Sequence, residues 1–260
     1  MGKHFHHAAL SSGALLLSAF LGGCFEDTST GPKRETDIRF PLAIGNTWVY
    51  RSAADRMTIS AGDTTREAAT GDVTWTITAR ETIMGIDAYR MQITQHVLSG
   101  PDSGKTFTFN DWYAEQDSVL LAVAYEDTVF SAPFQMAQLF KPASPRNEIS
   151  DWGVTVLVYP LTTGREWCFI PLDEYDKKVV EARETIDVRG RRFDTFRIVR
   201  NVDTRLNPDP GTLRTFSVLT CTQWFSSVGL VKVTMSSVSF PVNATYYETD
   251  ILELISYSLK

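Results

Sequence analysis

The sequence predicts an all-β protein in which antiparallel strands form two tandem meander units. Segments such as 74–79 alternate strictly between two faces and are rich in β-branched and aromatic residues. Gly, Pro, Asn and Asp separate these segments at hairpin spacing. No convincing helical period of useful length is present, although one short helix is expected near residues 134–140. We therefore expect each unit to be a meander of about five strands in a curved sheet, as a sandwich or half-barrel.

An internal duplication defines the two units. The segment Phe40–Tyr50, with the pattern aromatic-Pro-Leu-x-x-Gly-x-x-Trp, returns at Tyr159–Phe169. The pentapeptide Ala79–Ile83 returns unchanged at Ala182–Ile186. Three later landmarks keep the same order: Asp87–Met91 with Asp194–Ile198, Gly100–Gly104 with Asn207–Gly211, and Trp112–Tyr113 with Trp224–Phe225. Such ordered matches predict β units at residues 38–130 and 153–260, joined by a linker at 131–152.

The duplicated unit resembles a broad group of bacterial lipoproteins. Their repeats begin with the same aromatic-Pro-Leu-x-x-Gly-x-x-Trp motif and end with Trp-aromatic before a Val-Gly-Leu-Val-Lys segment, here Val228–Lys232. The first unit lacks a clear copy of that segment and has Ser118–Leu121 instead. The resemblance spans most of residues 38–235. It implies an envelope protein but no particular ligand, because these are domains of unknown function.

The first residues predict export and lipidation. A short basic start, Met1–His7, precedes an uncharged apolar run from Ala8 to Leu21. This run is shorter than the roughly 20 residues that span a bilayer, and fits the apolar region of a secretory signal. The following Leu21-Gly22-Gly23-Cys24 resembles the bacterial lipobox. The resemblance implies that residues 1–23 are a cleaved signal peptide, and that Cys24 carries acyl chains such as palmitate.

The residues after Cys24 predict a location and a tether. In the lipoproteins that this leader resembles, Asp after the Cys favours retention in the inner membrane. Phe25 stands there, so we expect an outer-membrane protein, on either its periplasmic or its cell-surface face. Residues 24–37 are polar and without apolar periodicity, which is typical of a flexible tether. The membrane, reached through the lipid on Cys24, is therefore the first expected partner.

Composition excludes some partners. The chain has 260 residues and a formal net charge of −6. An acidic balance argues against nucleic acid, which selects basic surfaces. We expect no nucleic acid as a partner, but instead a lipid or another envelope protein.

Glu81 and Glu184 are the candidate ligand-facing residues. By strand alternation, Glu81 shares a face with Trp75 and Ile77, where a carboxylate is costly unless it is paired. A two-residue turn after Ile83 would place Arg90 beside Glu81. A three-residue turn would place Tyr89 opposite Glu81 and align the apolar residues of the next strand with Trp75. We favour the second register, because burial usually fixes register.

Two cysteines remain once Cys24 is lipidated. The envelope is oxidising, so Cys168 and Cys221 are expected to form a disulfide. The sole histidine outside the leader, His96, is expected at the surface of a strand. Four tryptophans at equivalent repeat positions are expected in the core rather than on a sugar-binding platform: Trp48, Trp112, Trp167 and Trp224.

No motif for enzymatic chemistry is recognised. The sequence has no Gly-x-Ser-x-Gly elbow, no phosphate loop, no paired histidines for zinc and no calcium loop. We expect no metal, no cofactor and no catalytic residue. The predicted function is a non-catalytic binding or envelope-maintenance module. The alternatives are a half-barrel carrier or acceptor of lipids or lipoproteins, and a carboxylate-based glycoside hydrolase.

Overall fold

Twelve β-strands make up the described part of the protein. A computed structural model describes residues 38–126, 154–169, 176–203, 216–240 and 243–260. Cys24, the leader, the linker and the expected helix at 134–140 lie outside these residues. The strands are β1 Thr47–Ser60, β2 Asp63–Ile83, β3 Ile86–Ser99, β4 Thr106–Gln116, β5 Val119–Tyr125, β6 Val154–Val158, β7 Glu166–Cys168, β8 Asp176–Val188, β9 Arg191–Asp203, β10 Phe216–Ser226, β11 Gly229–Phe240 and β12 Ala244–Ser258.

All strands belong to one antiparallel sheet, which curves into a nearly closed half-barrel. The strand order is β6-β5-β4-β3-β2-β1-β12-β11-β10-β9-β8-β7. The first predicted unit thus contributes the meander β1–β5 and the second the meander β7–β11, in the same strand order. The all-β, antiparallel, curved fold that the sequence predicts is confirmed.

The sheet has two distinct ends. Chain entry at β1 and the tight turns at Met84–Gly85 and Arg189–Gly190 lie at one end, here called the turn end. The opposite end is called the loop end. Strands β5, β7, β9 and β11 finish there, before the segments that lie outside the described residues. Positions along any strand can therefore be placed by their distance from these two ends.

The two edges of the sheet are joined very differently from its middle. At the middle, β1 and β12 pair along their whole length, from Thr47↔Ser258 to Ser60↔Ala244. At the edges, the Thr155 N–H of β6 donates to the Phe169 carbonyl just after β7, at 2.9 Å. The Trp167 indole Nε1 also donates to the Thr155 carbonyl at 3.2 Å. In the duplicated strand order, β6 and β7 are the counterparts of β12 and β1. β12 and β1 form a full ladder, whereas β6 and β7 are joined along a short seam.

One buried apolar cluster lines the inner face of the sheet and draws on both predicted units. Near the turn end it includes Trp48, Tyr50 and Trp75, which are at most 2% exposed. The Trp48 indole donates to the Val228 carbonyl at 2.7 Å, and the Tyr50 hydroxyl to the Leu230 carbonyl at 3.0 Å. These bonds connect β1 with the start of β11 across the inside of the sheet.

Within the described ranges, no helix is long and apolar enough to cross a membrane. The same residues contain no group of three or more His, Cys, Asp or Glu side chains close enough together to hold a metal ion.

Candidate functional site

Glu81 lies on the outer face of the sheet and is paired. Its Oε2 accepts a hydrogen bond from the Trp112 indole at 3.0 Å. Its Oε1 lies 2.9 Å from Nη1 of Arg90. The Glu81 side chain is 32% exposed and that of Arg90 is 37% exposed. The carboxylate therefore fastens β2 to β3 and β4 at the turn end.

Glu184 repeats this arrangement in the second unit. Its Oε1 accepts from the Trp224 indole at 2.8 Å and lies 3.7 Å from Nη1 of Arg197. Arg197 also lies 3.3 Å from Glu181. Since both candidate glutamates have intramolecular partners, the simplest role for each is structural. Trp112 and Trp224 are consequently fixed on the outer face, so the expectation that all four repeat tryptophans are core residues is correct only for Trp48 and Trp167.

The arginine of the repeated pentapeptide also has matching contacts. Arg80 bonds Asp87 across the β2–β3 hairpin, with Nε to Oδ1 at 2.9 Å, and lies over the ring of Tyr89. In the second unit, Arg183 bonds Asp194, with Nη2 to Oδ2 at 2.8 Å, and lies over the ring of Phe196. The repeated Ala-Arg-Glu-Thr-Ile segments thus use Arg on one face of the hairpin and Glu on the other.

A β-bulge in β2 places Glu81 on the face of the sheet opposite to the predicted one. The register shifts between Ile77 and Ala79, so Thr78 is an extra residue and the following side chains change face. Glu81 pairs with Ala88, not with Tyr89. The turn has two residues, and both have positive φ, 51° for Met84 and 81° for Gly85, as a type I′ hairpin turn requires.

The favoured register was therefore wrong about the turn. The bulge allows a two-residue turn and still keeps the apolar residues of β3 facing the core. Tyr89, Met91 and Ile93 still face the core, as burial requires. Arg90 faces Glu81 on the other side. The second unit has the same shift between Val180 and Ala182.

The positions of the two glutamates do not form a carboxylate pair for glycoside hydrolysis. β1, β12, β11, β10 and β9 lie between β2 and β8. At about 4.8 Å per strand, the two side chains are about 29 Å apart along the outer face. Hydrolysis by paired carboxylates needs a separation of about 5–10 Å.

The predicted Cys168–Cys221 disulfide does not form. Both residues are free thiols, Cys168 partly exposed and Cys221 buried. β8 and β9 lie between their strands, which places them about 14 Å apart along the sheet, beyond disulfide reach. They also face opposite sides. Each points away from its neighbouring tryptophan, but Trp167 faces inward while Trp224 faces outward. His96 is exposed, as expected, and its Nδ1 lies 3.1 Å from the Thr106 hydroxyl.

The strongest candidate for a functional site is a row of buried side chains inside the sheet that includes Lys178, Arg200 and Asp250. Cross-strand pairing connects Asp250 to Met235, Met235 to Cys221, Cys221 to Arg200, and Arg200 to Lys178. All five are at most 3% exposed. We call these five residues the inner row. It crosses strands β8 to β12 within the buried apolar cluster, which includes Cys221 and Met235 of the row and continues past it to Val202 and Leu219.

Arg200 carries the central positive charge of the inner row. It forms a bidentate pair with Asp176, with Nε to Oδ1 at 2.7 Å and Nη2 to Oδ2 at 2.6 Å. Their side chains are 1% and 2% exposed. The guanidinium also lies over the ring of Phe169, 3.9 Å from its centroid. Such geometry is needed to offset the loss of hydration of two buried charges.

Lys178 lies beside this pair and is held by neutral acceptors. Its Nζ donates to the Val156 carbonyl at 3.1 Å and to Oε1 of Gln223 at 3.2 Å. Burial, followed by repulsion from Arg200, lowers the pKa of Lys178 to about 7. Burial also raises the pKa of the Cys221 thiol to about 11. The amine can thus lose its proton near neutral pH, whereas the thiol keeps its own.

Asp250 is the exception in the inner row, because neither carboxyl oxygen has a hydrogen-bond partner among the described residues. The residue is 3% exposed. Burial, then repulsion from Glu248, raises the pKa of Asp250 to about 8, although nearby Arg56 acts in the opposite direction. A buried carboxyl without a partner is costly and marks a place where a donor group can bind.

Sequence reasoning missed the inner row, although the sequence contains its signal. Arg200 follows Phe196 and Ile198 in the same alternation, and Asp250 precedes Leu252 and Leu254 in the same way. Polar residues in phase with an apolar face mark the buried positions. The same rule places Glu81 on the inner face, but the bulge at Thr78 moves Glu81 to the outer face.

No protein-family model and no curated protein sequence matches this chain. Three solved structures show weak similarity. A proposed lipoprotein from Parabacteroides distasonis is 13% identical with a TM-score of 0.28, and the match covers 83% of this chain and 97% of that chain. A DUF1329 family protein from Desulfovibrio piger is 10% identical with a TM-score of 0.25, covering 80% and 86%. A proposed outer membrane lipoprotein-sorting protein domain from Vibrio parahaemolyticus is 9% identical with a TM-score of 0.22, covering 82% and 86%. Similarity at this level does not assign the chain to a family.

Proposed function

We propose that this chain is a lipid-anchored envelope protein that binds a ligand, without catalysis, on the inner face of its curved sheet. The observation that carries this proposal is the inner row, above all the unpartnered Asp250 carboxyl. A protein that needed only stability would gain as much from apolar side chains at these positions. Buried charges on the inner face of a curved sheet are instead typical of a recognition site.

The envelope address rests on the leader and is part of the same proposal. The Leu21-Gly22-Gly23-Cys24 motif supports a lipid anchor, and Phe25 supports the outer membrane. Two or more acyl chains would hold the protein stably on the bilayer. The tether would then deliver the chain to Ile38, shortly before β1.

A carrier of lipids or lipoproteins is the second candidate, and the curved sheet supports it. An acyl chain needs an apolar cavity, and the inner-face residues near Trp48 are closely packed against one another. The seam between β6 and β7 is the place where such packing could open, since few hydrogen bonds join these strands.

The anchor and the ligand can be tested on the same preparation. Protein purified from its own host membranes is examined by native mass spectrometry, with Cys24→Ala as the matched unlipidated form. We expect the parent to partition into detergent and to carry a bound small molecule, and the variant to be unprocessed or soluble. A bound fatty acid or phospholipid would favour the carrier. Equal membrane partitioning of both forms would refute the anchor, and repeated absence of any bound molecule would refute the binding function.

A further inference from the structure

We propose that the inner face of β1, β11 and β12 binds the ammonium group of an alkylamine-type ligand, with Asp250 as its acceptor. The inference rests on the proposed binding function and names the chemical class of the ligand. Its evidence is the gradient of exposure that ends at Asp250, the charges around this residue, and the unused hydrogen-bonding capacity of its carboxyl.

A polar strip leads from the loop end to Asp250. Cross-strand pairing places Tyr246 between Thr58 and Ser239, and one step further in places Glu248 between Arg56 and Ser237. Tyr246 is 46% exposed, the Arg56 and Glu248 side chains are 31% and 13% exposed, and Asp250 is 3% exposed. The exposed fraction of the side chains thus falls stepwise along one face of β12, from Tyr246 near the loop end to the buried Asp250 carboxyl.

The charges around Asp250 leave its ionised form without a counter-ion. Glu248 and Asp250 face the same side of β12, and Arg56 is the basic side chain next to them. Arg56 is already used by Glu248, with Nε to Oε1 at 2.7 Å. Two carboxyl groups therefore share one guanidinium, and the deeper carboxyl has no donor from the described residues.

An ammonium group fits this place better than a neutral or anionic group. It has three donors and no acceptor, which matches a carboxylate whose two oxygens both lack donors. A charge-assisted bond of this kind is also stronger than a neutral one. Ala54 and Met235 flank Asp250 on the neighbouring strands, Leu252 follows it on the same face of β12, and all three are buried. These apolar neighbours suit the carbon atoms next to the ammonium nitrogen.

Binding of n-hexylamine and of 1-hexanol by the whole folded protein tests the proposal, because the two probes differ only in the head group. Titration calorimetry at pH 8 should show hexylammonium binding at least about tenfold more tightly than hexanol. Asp250→Asn should abolish that preference. The matched control is Asp55→Asn, which alters a carboxylate on the outer face of β1 that is paired with Arg66.

A second measurement on the unaltered protein covers the case in which Asp250→Asn fails to fold. Hexylammonium should make Asp250 ionise, so titration at pH 7 in two buffers of different ionisation enthalpy should show proton release. Hexanol should release none. Glu248, Arg56 and Cys221 also face this place, and the first two are already paired. Equal affinity for amine and alcohol, undiminished amine binding by Asp250→Asn, or no proton release would overturn the proposal. These outcomes leave the envelope-binding function open to its own test, which uses protein from the host.

Discussion

Asp176→Asn should be among the most destabilising single-atom changes in this protein. Asp176 provides both oxygens of a bidentate pair with Arg200, and both side chains are at most 2% exposed. The variant removes the negative charge but leaves the guanidinium buried beside Lys178. Breaking a buried pair in this way costs about 3–5 kcal/mol, a large part of the stability of a typical domain. Repulsion from Arg200 already helps to lower the pKa of Lys178. In the variant, the Arg200 guanidinium would remain buried beside this amine after the Asp176 charge has been removed.

The assay is equilibrium unfolding in urea, followed by tryptophan fluorescence. Asp194→Asn is the control, because Asp194 forms a similar pair with Arg183 at the surface, where the side chains are 57% and 34% exposed. That variant should lose less than about 1 kcal/mol. The double variant Asp176→Leu with Arg200→Met should recover most of the lost stability, since apolar side chains of similar volume often replace a buried pair without loss. If Asp176→Asn costs no more than Asp194→Asn, the buried-charge argument is refuted.

Three further predictions follow from other contacts. Glu81→Gln and Glu184→Gln should each lower the free energy of unfolding by about 1 kcal/mol and should add in the double variant, because the two half-exposed sites are far apart; strongly non-additive urea curves would contradict this. Gly100→Ala should cost about 1–3 kcal/mol, and Gly104→Ala clearly less. Both glycines have positive φ, but an added Cβ at Gly100 would lie 2.7 Å from the Cβ of Ala69, and one at Gly104 would meet nothing within 4 Å, so equal melting temperatures would refute the steric argument. Between pH 8 and pH 9 Lys178 should add roughly 1 kcal/mol to the free energy of unfolding, because its pKa is about 7 when folded and 10.5 when unfolded, and the unfolded chain therefore binds the extra proton in this range. Asp250 and Cys221, with folded pKa values raised to about 8 and about 11, act in the opposite direction, so the test compares the parent with Lys178→Met. The variant should lack the Lys178 contribution, and the same pH profile in both proteins would show that Lys178 does not titrate there.

The fold could be predicted because its signals are local and repeated. Strict alternation in segments such as 74–79, and hairpin turns such as Met84–Gly85, specify antiparallel strands without reference to the rest of the chain. The duplicated landmarks predict the common strand order of β1–β5 and β7–β11. Alternation does not predict that the two meanders form one sheet, because the pairing of β1 with β12 depends on residues far apart in sequence.

The candidate site could be predicted only in part, because one extra residue reverses the faces of a strand. The bulge at Thr78 moves Glu81 from the predicted inner face to the outer face, and no composition rule announces it. The disulfide failed for a related reason, since strand parity gives relative faces but not which face is inside. The inner row was accessible in principle. Arg200 and Asp250 occupy apolar positions of the alternation, and only the fold shows that these positions come together.

The pairing of β1 with β12 also determines when the protein can finish folding. β1 is synthesised long before β12, yet residues 244–258 of β12 are one of its two partners. Contacts of such long sequence separation slow folding, because the loop entropy is lost before the contacts form. Until β12 is made, β1 and β11 each keep a long unpaired edge that can pair with another chain. A chain of this design can therefore close the middle of its sheet only after residues 244–258 are available to pair with β1.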